Sequence, residues 1–393
     1  IGLPLITHNR WIDPQSPDRD RYHISGFAAL DPAWWHDVMT YLAASGVATY
    51  EQDWLSVIYE HSPELAATAG AGDAFSDGMA HAAQEQGLTL QYCMPLPRHF
   101  LEGARYPNLT SIRVSGDRFA RDRWDSFLYT SRLASALGIC PWSDLSMSAE
   151  ADNLLVATLS TGLVGIGDRI GAERRTSLLR AVRADGVIVK PDSALVPLDA
   201  MYRAAASAPM IAAARGDHSG VQSRYVFAYS RSARPAHAEF TPAQLGLTRD
   251  AYVYDYRSRI ALRVQATDPF GFELPAGGSA YFVVVPVGRG GLALFGDAAR
   301  FVPNGAKRVA ALAADGPRLS ATVTFAPQEQ SVRLFGYAPR RPTITAATGS
   351  VGEVSFDARS GRFEADVAPG PEREVESPGN DPVRRATLTV NAE

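Results

Sequence analysis

The feature that most constrains this chain is an alternation. Over its first half, short β-branched apolar runs take turns with stretches of helical apolar spacing. The runs Leu3 to Ile12, Val47 to Trp54, Leu88 to Met94, Leu109 to Val114, Ile139 to Trp142 and Leu163 to Gly167 read as strands. Between and after them, Ala33 to Ser45, Gly72 to Gln86, Arg123 to Leu137, Ala149 to Leu159 and Glu173 to Arg183 read as helices. The punctuation agrees with this. Asp31-Pro32 supplies a cap and a first-turn proline, and Gly46, Gly87 and Gly138 supply stops. Alternation of this kind argues for βαβ units and a parallel sheet. Six strands are two short of a closed eight-stranded barrel. Asp13 to Leu30, rich in proline and charge, reads as a loop long enough to be functional.

After about Ala206 the texture changes. Tyr225 to Tyr229, Ala251 to Tyr256, Ile260 to Gln265, Ala280 to Pro286, Gly291 to Phe295, Leu319 to Phe325, Ser331 to Tyr337 and Arg385 to Val390 are strand-like, with turn residues between them. They predict an antiparallel sandwich of one or two modules. The expected domains are residues 1–206 and 207–393, with Ala368 to Asp381 as a mobile loop.

Composition excludes several classes. A hydrophobic share of 46% with 20% charged residues is that of a soluble globular protein, and the net charge of −4 offers no footprint for nucleic acid or an anionic membrane. Lys190 and Lys307 are the only lysines, so nearly all positive charge is arginine. Two cysteines, Cys93 and Cys140, make no disulfide framework. No apolar run approaches the roughly 20 residues of a membrane span, and IGLPLITHNRW lacks the charge and apolar pattern of a signal peptide. The histidines show no metal-ligand spacing, so no catalytic metal and no cofactor is expected. The glycines at 165, 167 and 171 do not have dinucleotide-binding spacing.

Two strands stop at a carboxylate. SGVATYEQDWL ends its apolar run at Asp53, and SIRVSGDRF reaches Asp117, 64 positions later. In parallel α/β folds chemistry gathers at the C-terminal strand ends, and a pair of carboxylates there is the equipment of glycosyl transfer. An aspartate after a strand is equally a common helix N-cap. Arg113 has a fork suited to hydroxyls or carboxylates, or to a structural ion pair. Trp11, Trp54 and Trp142 stand at strand ends, where a ring either stacks on a sugar face or fills core. His8 and Arg10 are expected in a pocket wall, and Tyr92 at its border. Cys93 ends the same strand and is expected to pack or, less readily, to border the pocket as well, and His99 is expected to lie in a loop.

These residues resemble the catalytic barrel of the α-galactosidase and raffinose synthase enzymes, retaining glycoside hydrolases of families 27 and 36. HDVMTYLAASGVATYEQDW is similar to the family's fourth-strand segment with its nucleophilic Asp, placing Asp53. Arg113, Ser115 and Asp117 match the Arg-x-Ser-x-Asp motif of the sixth strand, placing Asp117 as acid/base. CPWSDLSMS resembles the seventh-strand segment, placing Trp142 and Asp144, and GLVGIGDRIG the eighth, placing Asp168. RADGVIVK resembles the closing segment before the sandwich.

The resemblance implies a (β/α)8 TIM-type barrel lacking its first two strands, followed by an antiparallel β-sandwich. It implies a double displacement on α-linked sugars, with a glycoside or oligosaccharide substrate and Asp117 in the less polar setting. Two departures accompany it. Glu51 stands where the family has a lysine, and ITHNRWI matches the third strand, so a partner chain or N-terminal segment is expected to complete the barrel. A non-catalytic carbohydrate-binding or assembly protein that keeps the fold is the alternative.

Overall fold

The computed structural model describes residues 4–218, 220–376 and 382–392. Leu3 of the first expected strand and residues 377–381 of the expected loop lie outside the described residues. The chain forms two compact units, Ile1–Phe119 with Thr130–Asp144, and Ala120–Tyr129 with Leu145–Glu393.

The first unit is built on a parallel sheet of β1 (Leu5–Asn9), β2 (Val47–Gln52), β3 (Thr89–Tyr92), β4 (Leu109–Arg113) and β5 (Cys140–Trp142), in that order. Register aligns their C-terminal ends. Asn9 pairs with Gln52, Gln52 with Tyr92, Tyr92 with Ile112, and Arg113 with Trp142. Five of the six expected strands therefore share one sheet, and the segments that follow them leave from one edge.

Helix α1 (Pro32–Ala44) forms as its signals predict. The Asp31 carboxylate accepts from the Ala33 N–H at 2.9 Å, Pro32 occupies the first turn, and Gly46 takes φ +80° beyond the end. Its buried face carries Trp34, Trp35 and Met39. Trp35 meets Tyr50 of β2 and Phe75 of α2 (Ala71–Glu85) edge-on, at 6.2 and 5.6 Å between ring centres. A side chain at Gly78 would come within 2.8 Å of the Trp35 ring, so α2 can approach α1 only with glycine there. Helix α3 (Pro97–Gly103) lies in a proline-rich stretch without helical spacing and was not expected. The 13–30 segment holds a short 3-10 turn at Pro17–Asp20 and a two-residue pairing of Ile24–Ser25 with Ala28–Ala29.

In the second unit the sixth expected strand is only Gly165–Ile166. It pairs in parallel with Leu145–Ser146 in a separate two-stranded sheet rather than with β5. Glycine weakens a strand, and here it serves close approach, since a Cβ on Gly165 would lie 2.3 Å from the Leu145 side chain. The expected helix from Glu173 to Arg183 shrinks to one turn, Arg175–Leu178. Its second half reverses direction at Gly186, so that Arg183 bonds to Val187 and Val189 to Ala181.

Two antiparallel modules follow. The first has a six-stranded sheet ordered Val196–Pro197, Met210–His218, Val221–Tyr229, Ser279–Pro286, Ala251–Asp255, Ile260–Val264, together with the pair Ala236–Phe240 and Phe270–Leu274. Val226, Phe240, Phe282 and Val284 form its core. The second carries Ala293–Asp297, Val332–Tyr337 and Arg362–Ala368 in one sheet, and Val309–Asp315, Arg318–Phe325, Val383–Asn391 and Thr343–Thr348 in the other. Among the described residues no helix is long and apolar enough to cross a membrane.

Candidate active site

The ends of β2, β3, β4 and β5 share an unusual backbone. Six non-glycine residues among those described have positive φ, and four of them follow these strands: Trp54 (φ 58°), Met94 (φ 47°), Arg118 (φ 56°) and Asp144 (φ 71°). Left-handed backbone costs a side-chain-bearing residue about 1–2 kcal/mol, so the fold spends stability on aiming the preceding residues. Those residues include Asp53, Cys93 and Asp117.

Asp53 is firmly held. Its N–H continues the ladder to Asn9 O at 2.9 Å, Oδ1 accepts from the Trp54 N–H at 2.6 Å, and Oδ2 meets His8 Nε2 at 2.9 Å. Burial pushes its pKa up, but donation from the Cys93 thiol, His8 and the Trp54 N–H, with the Arg113 charge, brings the net value below the ordinary one. Beneath it the buried Gln52 amide donates to Arg10 O at 2.7 Å and Asp53 O at 2.9 Å, and accepts from the Tyr50 hydroxyl at 2.8 Å. The helix that follows, Leu55–Glu60, has Trp54 at its N-cap and no side-chain cap, so Asp53 is not a capping residue.

Glu51 lies two residues earlier on the same strand face. Burial raises its pKa, the neighbouring Asp53 charge adds to this, and His8, Cys93 and Gln91 oppose it. One strand end thus carries two carboxylates displaced in opposite directions, the arrangement that separates proton-holding from ionised roles. Ligand-type atoms of His8, Glu51 and Asp53 lie within 4.8 Å of one another, the one such trio among the described residues. These residues could hold a divalent cation; their present geometry is a hydrogen-bonded cluster.

Arg113, at the end of β4, is buried. Its Nη1 sits 2.8 Å from Asp117 Oδ1 and 3.6 Å from Asp144 Oδ2, and Asp144 Oδ2 also accepts from the Arg118 N–H at 2.8 Å. The Ser115 hydroxyl donates to Ser143 O at 2.7 Å, tying the β4 and β5 ends together. Arg113 therefore contacts Asp117 and Asp144 while its charge acts on Asp53. The Asp117 side chain is 84% exposed, which corrects the expectation of a less polar setting: it lies beyond the end of β4, on the segment that carries the left-handed Arg118.

The remaining expected residues divide. Trp11 stacks on Phe27 at 5.0 Å and meets Trp54 edge-on at 5.3 Å, with the Arg10 guanidinium 4.6 Å over its ring. Trp142 is buried. Tyr92 does not border the site; strand alternation turns it to the helix side, where it is buried and meets His99 edge-on. His99 is no loop residue. It is fully buried in α3, its Nδ1 accepts from the Leu96 N–H at 2.9 Å, and burial pulls its pKa down to about 3. Asp168, in the second unit, accepts from the Ser148 N–H at 2.7 Å and the Ser148 hydroxyl at 2.9 Å. Cys93, expected chiefly to pack, is brought to the site instead. Its thiol faces Asp53, and the one available signal was strand parity, since Gln91 and Cys93 must face opposite to Tyr92.

No family model and no curated protein sequence matches the chain. Solved structures of a family 27 glycoside hydrolase nevertheless share the fold. One is a β-L-arabinopyranosidase from Geobacillus stearothermophilus, 12% identical, with 72% of this chain aligned to 74% of that one at a TM-score of 0.54. A variant of the same enzyme in complex with arabinose aligns at a TM-score of 0.53 and 13% identity, over 72% of this chain and 75% of that one. The α-galactosidase I of Mortierella vinacea aligns at 0.47 and 12% identity, over 64% of this chain and 71% of that one.

Proposed function

We propose that the chain is a retaining glycoside hydrolase acting on α-linked sugars, with Asp53 as nucleophile and Asp117 as acid/base. The observation that carries this reading is the state of Asp53: a carboxylate at a strand end, gripped on both oxygens and held ionised, with the buried Arg113 relating it to a second carboxylate. In the first step an Asp53 oxygen bonds to the anomeric carbon, the glycosidic C–O bond breaks, and the leaving oxygen takes the Asp117 proton. In the second, water gives its proton to Asp117, its oxygen bonds to the anomeric carbon, and Asp53 leaves as carboxylate. Arg10, Trp11 and Trp54 offer a wall for the sugar ring, and Glu51 and His8 offer partners for its hydroxyls.

One observation favours the second reading, a carbohydrate-binding protein without turnover. Asp117 is exposed and paired with Arg113 at 2.8 Å, an open ion pair without the enclosed setting expected around an acid/base. Hydrolysis of a panel of aryl α-glycosides by the wild-type chain and Asp53→Asn separates the two. Turnover that the substitution abolishes, with sugar binding retained, supports the hydrolase. Sugar binding by both proteins with turnover by neither supports the binding protein.

A further inference from the structure

Within the second unit a cavity of about 540 Å³ opens between the Trp124 region, the start of the helix Ala151–Leu159, the turn at Tyr256 and the strand bearing Tyr281. That is the size of a small-molecule pocket. Most of its polar groups are already engaged. Arg257 bonds Asp152 Oδ1 and Ser279 Oγ, both at 2.7 Å, and Ser279 Oγ donates to Asp152 Oδ2 at 2.5 Å. The Arg121 guanidinium lies 4.7 Å over the Trp124 ring and donates to Ser230 O at 2.7 Å. Glu150 accepts from the Met147 N–H at 3.1 Å and the Asn153 amide at 3.0 Å. The Tyr281 hydroxyl donates to Phe301 O at 2.5 Å.

Two lining groups differ. Arg180 is exposed, and among the described residues its guanidinium has no hydrogen-bond or ion-pair partner. Its backbone is nonetheless fixed, with its N–H on Ser177 O at 3.0 Å and its carbonyl accepting from the Phe301 N–H at 2.8 Å. Tyr256 stands near it, braced by the Tyr281 and Phe301 rings at 5.3 and 5.8 Å. Burial pushes its phenol up to about 12 against the pull of the Arg180 charge, so it remains a donor at neutral pH. A cation carried on a fixed backbone and a phenol thus line a pocket whose acids are engaged by other donors.

We propose that this pocket binds a small carboxylate ligand of sugar-acid size, its carboxylate on the Arg180 fork and its body against Tyr256. A planar carboxylate matches the fork bidentately, and the cavity leaves room for one pyranose-sized body. The site is independent of Asp53 and of the glycosidase reading.

Isothermal titration of the full chain with galacturonate, galactose and inorganic phosphate tests it. Galacturonate should bind, Arg180→Gln should weaken it at least tenfold, Tyr256→Phe should weaken it severalfold, and Asp53→Asn should leave it unchanged. Each variant should melt as the wild type does; Arg180 is exposed, and phenylalanine preserves the Tyr256 ring. Absence of galacturonate binding, equal binding of galactose or phosphate, or indifference to Arg180→Gln would overturn the assignment.

Discussion

The molecule holds two dense clusters of charge, one in each unit, and they are built to opposite specifications. In the second unit Arg308 is fully buried. It takes Glu329 through two bonds of 2.7 Å, Thr324 O at 2.6 Å, and lies 2.9 Å from Asp297 through Nε. Arg183, also buried, reaches Asp185 at 2.8 Å, Glu376 at 3.1 Å and Lys307 O at 2.8 Å. Each charge there is desolvated and answered several times over. Around Arg113 in the first unit the charges are left open. Asp117 is 84% exposed and His8 48%, and four strand ends carry left-handed backbone. The closed cluster is sealed from solvent, whereas the open one presents its donors and acceptors to it. Stability is invested in the first and withheld at the second.

The sharpest way to break this contrast is to remove one carboxylate from each cluster and measure both rate and melting. Asp117→Asn, at an exposed position, should leave the unfolding free energy within about 0.5 kcal/mol of wild type while lowering kcat by about 10²–10⁴. If melting fell and the rate held, Asp117 would be a structural partner of Arg113, and the open cluster would be a second version of the closed one.

Glu329→Ala should do the reverse. It strands the buried Arg308 charge, and breaking a buried pair by removing one partner costs about 3–5 kcal/mol. The Glu329 pKa is lowered: burial raises it, but the Arg308 bonds and charge outweigh that, so its contribution is present above its unfolded pKa and is lost as the pH falls through the folded value. Denaturant unfolding should therefore show a large loss at pH 7 that shrinks toward acid. An equal loss at all pH values would mean that packing, not charge, holds this region.

How far each cluster was legible in the sequence follows from the same contrast. The open cluster announces itself because strand ends are periodic: apolar runs closing at Asp53 and Asp117, with Arg113 one turn of sequence earlier, are visible without coordinates. The helix α1 was legible for similar reasons, since Asp31, Pro32 and Gly46 are local signals that tertiary contacts did not override. The closed cluster was invisible. Arg183 and Glu376 are 193 positions apart, and Glu173 to Arg183 has helical spacing although its second half turns back through Gly186 to place Arg183. Strands such as Met210–His218, alanine-rich and ending in charge, lack the β-branched pattern and form because Val221–Tyr229 pairs along their whole length. Helix α3 was hidden by Pro97, which reads as a breaker but occupies its first turn. The left-handed Met94 and Arg118 that follow Cys93 and Asp117 are conformations no residue type there advertises.

The smallest effect concerns Glu51, where the open cluster meets its own cost. Its folded pKa is raised above the ordinary value by burial first and by the Asp53 charge in support, so folding favours its protonated form. That contribution is complete below the unfolded pKa and is lost as the pH rises through the folded value. Asp53 has the opposite slope: its folded pKa is lowered, and its stabilisation is lost only as the pH falls through that value. Glu51→Gln removes one slope and leaves the other. The variant should melt with the wild type near pH 4 and rise above it toward pH 7, by no more than the roughly 2–4 °C that corresponds to 1 kcal/mol in a domain of this size. Where Asp53 titrates, Glu51 is already protonated, so the acidic limb of the pH–rate profile should stay where it is. A variant less stable than wild type at pH 7 would mean that Glu51 is held as a charge by partners, as Glu329 is, and the open cluster would be closed at that one position.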